Sequence, residues 1–234
     1  MKRSATAVCL LLLVFLIGLE GYGRAGSAWS DARYGEHTFT SFEKLPEANR
    51  RIDMKNIDYS LLHAAIFYET NRQRQMNGRK VFLHSPALEK AAEGHSADMV
   101  RLNFFSHGSP VPGKETMGKR LALVGITNAY SAENIATTFG IEYEGGRGVY
   151  SPVQNGGYFS YSYRGEPIKN HTYLGVARAV VTQWMHSPGH RANILNANYV
   201  YLGAGVAHYK NSRFYDMDEF KCTQNFSSIK GGGK

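Results

Sequence analysis

The order of helix and strand signals narrows the fold most: capped amphipathic helices come first and strand-like runs come last. From Asp58 to Met76 the residues Leu61, Leu62, Ala65, Ile66 and Tyr68 keep a helical period, with Asp58 placed to cap the start and Asn77-Gly78 to stop it. A second helix opens on Ser85 with Pro86 in its first helical position. It carries Leu88, Ala91, Ala92, His95, Met99 and Leu102 at intervals of three or four and ends near Asn103. Residues 104–134 read mostly as loop, with a short helical segment at 117–124 before Gly125, and helix returns from Tyr173 to His186. Tyr201–Tyr209 and Phe214–Phe226 read as strands joined by the polar turn 210–213. This order predicts an α+β layered domain rather than a doubly wound parallel sheet. No GxGxxG or P-loop pattern follows a strand, so a nucleotide site has no support.

With 43% hydrophobic and 12% aromatic residues and seven prolines among 234, the chain can bury one sizeable core, and a disordered or collagen-like chain is excluded. The net charge of +8 is dispersed rather than blocked, so it names no partner, and nucleic acid is not expected. Two cysteines, Cys9 and Cys222, exclude a disulfide scaffold and a cysteine-based structural zinc site.

Lys2 and Arg3 precede an apolar stretch from Ala5 to Leu19, followed by small residues up to Ala28, the pattern of an export signal cleaved after Ala25 or Ala28. Fifteen apolar residues fall short of the roughly 20 a spanning helix needs, so a retained anchor is the lesser alternative. Cleavage after Ala28 removes Cys9 and leaves a charge of +6 and a lone Cys222, read as a buried apolar thiol. The organisation read from sequence is a signal peptide at 1–28, a polar N-terminal arm at 29–57, packed on the domain or partly loose, and a domain at 58–228. That domain carries a Gly/Tyr-rich insertion at about 140–172, in which 157–163 suggests a hairpin or an extended surface insertion, and a flexible tail follows at 229–234.

Four segments place ionisable or amide residues among apolar or small neighbours: FFSH at 104–107, AENIA at 132–136, WMHSPGHRANIL at 184–195 and CTQNF at 222–226. Together with SPALEKAAEGHSADM at 85–99 and LGAGVA at 202–207, they come in the order found in the CAP superfamily of cysteine-rich secretory, antigen-five and pathogenesis-related proteins. The chain resembles its exported bacterial, SCP-like branch from about Asp58 to Phe226. The resemblance implies a three-layer α/β/α sandwich around a small antiparallel sheet. It also implies a cavity in which His107, Glu133 and His190 match two histidines and the first of two glutamates. The second glutamate of animal and plant members would stand three residues after Trp184, where this chain has Ser187.

Read as chemistry, the triad has three meanings. Two imidazoles and a carboxylate are ligands that Zn²⁺ accepts, here weakly because one carboxylate is missing. Glu133 could instead polarise a histidine for acid–base work, although neither Ser106 nor Ser187 lies in a nucleophile elbow. The set could also be structural, its members hydrogen-bonded to one another and to loop backbone. Gln224, Asn134 and His95 are further candidates for contact with a ligand, His95 sitting on the buried period of its helix. The function expected is an extracellular or envelope module binding a lipid, glycan or peptide, monomeric and without a retained span, with a peptidase-like hydrolase as the alternative.

Overall fold

The computed structural model describes residues 29–232, so the signal-peptide reading of 1–28 and the end of the tail lie outside the described residues. A 3₁₀ turn at Asp31–Gly35 precedes α1 (Phe39–Phe42), α2 (Tyr59–Met76), β1 (Leu83–His84), α3 (Pro86–Arg101) and α4 (Met117–Ala122). Then follow β2 (Ser131–Phe139), α5 (Tyr173–His186), α6 (Pro188–Leu195), β3 (Tyr201–Asn211) and β4 (Met217–Ser227). The capping expectations hold. Asp58 accepts from Leu61 N, Ser85 Oγ accepts from Leu88 N with Pro86 in the first turn, and Gly125 leaves α4 at φ +76°. No described helix is long and apolar enough to cross a membrane.

The sheet runs β1-β3-β4-β2. Its three long strands are antiparallel as expected, but β1 pairs in parallel with β3 over two residues, so the sheet is mixed. One face packs on α3 and the other on α2 and α5, which gives the three layers. The α2/α5 side holds the main core, with Trp184, Phe220 and Phe226 fully buried and Cys222 a buried free thiol whose titration burial pushes upward. Beyond β1 the outer edge of β3 has no strand partner among the described residues. There His63 Nε2 accepts the Val206 N–H at 3.1 Å, satisfying a buried donor.

The structure departs from the sequence reading in four places. The stretch read mostly as loop up to Asn134 leads into β2, and α6 follows α5 after a single residue, Ser187. The run 157–163 is not a strand hairpin: the insertion folds back through isolated antiparallel bridges at Ile141–Asn170, Tyr150–Ser160 and Ser160–Pro167, and it rests on Phe214 through Phe159. The arm takes the packed one of its two expected states, which is no departure, burying Trp29, Tyr34, Phe42, Ala48 and Ile52 against α2 and α5, because its scattered aromatics find Tyr68 and Phe67. Residues 229–232 are docked as well, through the Lys230 carbonyl accepting from Ser85 Oγ at 2.5 Å and Gly232 N donating to Val124 O.

Two glycines of β3 set the distance between sheet and helix. A Cβ on Gly203 would stand 2.0 Å from Glu89 N, and one on Gly205 2.0 Å from Glu93 N, both backbone atoms of α3. Only hydrogen fits there. We expect Gly203→Ala or Gly205→Ala to lower unfolding stability by about 3 kcal/mol or more, at or beyond the upper end of overpacking effects. Gly94→Ala, where a Cβ meets nothing within 4 Å in the middle of α3, should raise stability by about 0.5–1 kcal/mol. Urea unfolding of the three variants checks the opposite signs.

Candidate functional site

The strand pleat of β2 sends Glu133 toward α3 and Asn134 toward α2 and α5, because its cross-strand partners Asn225 and Gln224 face the same two layers. His107 arrives from the loop after α3. That helix is followed by Asn103 at φ 50°, and Lys221 Nζ donates to Met99 O in its last turn and to Phe104 O just beyond it, at 2.8 Å each. His190 is the third residue of α6, whose start Pro188 fixes. The two imidazoles thus approach the edge strand β2 from two separate segments.

Glu133 is almost completely buried, and four groups converge on it. His107 Nδ1 lies 2.8 Å from Oε1 and, in the tautomer the carboxylate selects, donates to it. Arg120 Nη2 donates to both oxygens, at 2.9 and 2.8 Å. Asn225, with its amide nitrogen turned to the carboxylate, donates to Oε2 at 3.2 Å while its oxygen accepts from Ala92 N at 3.1 Å. His95 Nε2 lies 3.9 Å from Oε1 and donates to the Ser106 carbonyl at 3.0 Å. Burial alone would raise the Glu133 pKa, but the His107 hydrogen bond and the Arg120 charge outweigh it and hold the carboxyl below its ordinary range. Glu133 is therefore a bound anion at neutral pH.

Arg120 is the residue that sequence reasoning missed. It sits on α4, whose Thr116 cap accepts from Lys119 N, and is itself buried. Beyond Glu133 it donates to the carbonyls of His107 and Lys114, so it pins the loop that carries His107. Its one available signal was the demand of a buried carboxylate for a cation, which neutral imidazoles do not meet.

His107 is half exposed, leaving Nε2 toward solvent. Burial, and then the proximity of His107, lower the pKa of His190. Burial likewise depresses His95, against the raising influence of Glu133. A histidine depressed in this way contributes stability that is complete above its ordinary pKa of about 6.5 and declines as the pH falls through that value. Both rings are thus set to be neutral in the folded domain.

Asn134 and Gln224 are fully buried, and their amides are spent in a chain that ties α6 and α2 to the sheet. Asn193 donates to Asn134 Oδ1 at 2.9 Å, and Asn134 donates to the His190 carbonyl at 3.2 Å and to Gln224 Oε1 at 3.3 Å. Gln224 in turn donates to Thr70 Oγ1 at 2.6 Å. This network positions α6, and with it His190, on β2. Ser187 takes the residue between α5 and α6 and makes no hydrogen bond to the triad. Ser106 Oγ accepts from Gly108 N, closing the turn that presents His107.

As a metal set, the triad is incomplete. Among the described residues no group of three His, Cys, Asp or Glu side chains is arranged to share a cation, and a guanidinium already occupies the Glu133 oxygens. The only rings of the triad left to a cation would be His107 and His190, with Glu133 behind His107 as the carboxylate that orients it.

The chain is similar to known proteins. The family model described as CAP, the cysteine-rich secretory protein family, matches residues 67–226. The uncharacterized protein YkwD of Bacillus subtilis is 30% identical over 136 residues, which cover 58% of this chain and 38% of that protein. An extracellular protein containing a SCP domain from Bacillus anthracis is 27% identical, with a TM-score of 0.47 over 74% of this chain and 42% of that one. An outer surface protein of Borrelia burgdorferi is 15% identical with a TM-score of 0.46, over 78% of this chain and 99% of its own. The chain spans about two fifths of the length of the two Bacillus proteins. With its match spanning most of the sequence, the chain belongs to the cysteine-rich secretory protein, or CAP, family.

Proposed function

We propose that this CAP domain is an exported ligand-binding module, acting at the cell envelope or outside it, whose His107–His190 cleft takes a lipid, glycan or peptide. The observation that supports this reading is the state of Glu133: ionised, buried and held by Arg120, Asn225 and His107, it has no proton to give and no free oxygen for a substrate or a metal. The serines beside the histidines are not placed as nucleophiles, since Ser106 Oγ is a turn acceptor and Ser187 makes no bond to either ring. The 2.8 Å contact between His107 Nδ1 and Glu133 favours the second reading, a hydrolase in which His107 Nε2 acts as general base.

Replacing both rings separates the two. The variant His107→Ala/His190→Ala should lose small molecules that co-purify with the wild type, as read by mass spectrometry of extracts. Unchanged capture together with loss of a hydrolysis seen on lipid, glycan or peptide panels would reverse the assignment.

The ion pair should behave as a buried unit. Arg120→Met leaves Glu133 unpaired and should reduce stability by about 3–5 kcal/mol. The double variant Arg120→Met/Glu133→Gln should recover part of that loss, a non-additivity that denaturant unfolding measures directly.

A divalent cation such as Zn²⁺ would be held by two imidazoles only, so its binding should be weak and should fade in acid once His190, whose pKa burial lowers, takes a proton. In titration calorimetry His107→Ala should abolish the binding, whereas Ser187→Glu should strengthen it by restoring a carboxylate. Equal affinity in all three proteins would place the metal elsewhere.

A further inference from the structure

At one end of the central sheet the strand ends present a row of apolar side chains to solvent. Leu83 N donates to Val200 O, Val200 N to Ser227 O and Ser228 N to Tyr130 O, so β1, β3, β4 and β2 stand side by side there. Along this rim Val81, Leu83, Val200, Ile229 and Tyr130 are 41–71% exposed. Single exposed apolar residues need no explanation, but a contiguous row does.

The charge beside the row is mostly positive. Arg79 and Lys230 line a cleft of about 910 Å³ together with Val81 and Leu83, and among the described residues Asp31 is the only carboxylate in its wall. Neither cation is ion-paired among the described residues, and Lys80 lies exposed between Arg79 and Val81. Buried Arg74 adds to the field: it is spent on the carbonyls of Lys80, Ile194 and Asn196, and its pKa is lowered to about 10 by burial and then by Arg79.

Projecting aliphatic groups with an exposed tyrosine, bordered by unpaired cations, are complementary to the interface of an anionic bilayer. There aliphatic tips and a phenol sit among headgroups, and lysine and arginine meet lipid phosphate. The geometry points to peripheral docking of this sheet end on an anionic lipid surface, with Leu83, Val200 and Ile229 entering the interface and Arg79 and Lys230 on the headgroups. Val81 and Leu83 border the cleft, but Val200, Ile229 and Tyr130 project from the strand ends outside it, which favours a bilayer over a helix or peptide as the partner. Docking leaves the His107 loop and α6, both at the β2 edge, attached to a surface-bound domain.

Co-sedimentation with vesicles of phosphatidylcholine, with and without phosphatidylglycerol, tests the proposal. The wild type should bind the anionic vesicles and lose them as salt is raised, since the charge term is screened within a Debye length. Arg79→Ala and Lys230→Ala should each weaken binding roughly fivefold. Leu83→Asp/Ile229→Asp should abolish it with an unchanged near-ultraviolet circular dichroism spectrum, because both side chains are exposed in the folded domain. Lys169→Ala/Arg213→Ala, which removes two exposed cations remote from the rim, should have no effect.

Absence of binding would overturn the proposal, as would equal weakening by the Lys169/Arg213 pair, which would mean net charge alone. Displacement by free glycerol phosphate would make the cleft a soluble-ligand site instead. Self-association in sedimentation velocity that Leu83→Asp/Ile229→Asp removes, with vesicle binding unchanged, would assign the rim to a second copy of the chain.

Discussion

The backbone-to-backbone approach of α3 on β3 at Gly203 and Gly205 is the constraint from which the remaining geometry follows. Glycine leaves no room for a side chain between Glu89 or Glu93 and the strand, so the helix lies unusually close to the sheet. At that separation Ser96 Oγ reaches both the Gly205 carbonyl and Thr223 Oγ1, and His95 lies below Glu133. A helix pushed out by one methyl group would break these short polar contacts together, since hydrogen bonds weaken over tenths of an ångström while packing can slide. The site is therefore attached to the core through α3, not merely perched on loops.

The same helix carries the chemistry of both sheet edges. Near its start Glu89 accepts from Tyr34 OH and His84 Nε2 at 2.8 Å and lies 3.5 Å from His63 Nδ1. Burial opposes ionisation of this carboxyl, but the two histidines prevail and its pKa falls to about 2. Toward the other end lies Glu133, paired with a permanent cation instead. The difference has a physical consequence: arginine stays charged at any pH the protein meets, so Glu133 is an anion independently of the imidazoles around it, whereas Glu89 depends on titratable partners. Glu89 ties the arm to the domain through Tyr34, whose ring stacks on His84 at 3.5 Å. Each edge of the sheet is thus closed by a carboxylate–imidazole cluster, and only the β2 edge leaves a half-exposed ring.

The CAP fold leaves the chemistry of this cavity to its side chains, since a fold hosts many functions and the site determines which. Here the network fixes the positions of the site's elements. His190 is fixed through its own backbone carbonyl by Asn134, and His107 through the Arg120-held carbonyl and the Glu133 carboxylate. Two rings held this firmly at a strand edge form a preorganised polar pair, which lowers the ordering entropy a ligand must overcome.

Local signals were legible because they act over one helical turn or one strand pleat. Asp58, Ser85-Pro86 and Gly125 mark helix ends by chemistry confined to three or four residues, and the ordered motifs named the family and the triad His107, Glu133 and His190. The strand β2 and the roles of Asn134 and Gln224 were not legible, because AENIATTF is a strand only through β4 and its amides find partners on α2 and α6, far away in sequence. Arg120 was hidden for the same reason. In sequence it is one basic residue in a short helical segment, and only folding brings it onto a buried carboxylate 13 positions along the chain. The sequence by itself determined the helices, the layered class and which side chains could do chemistry. Tertiary structure alone decided which of them are spent as scaffold, since desolvation and hydrogen-bond satisfaction depend on what packs against a group and not on what precedes it.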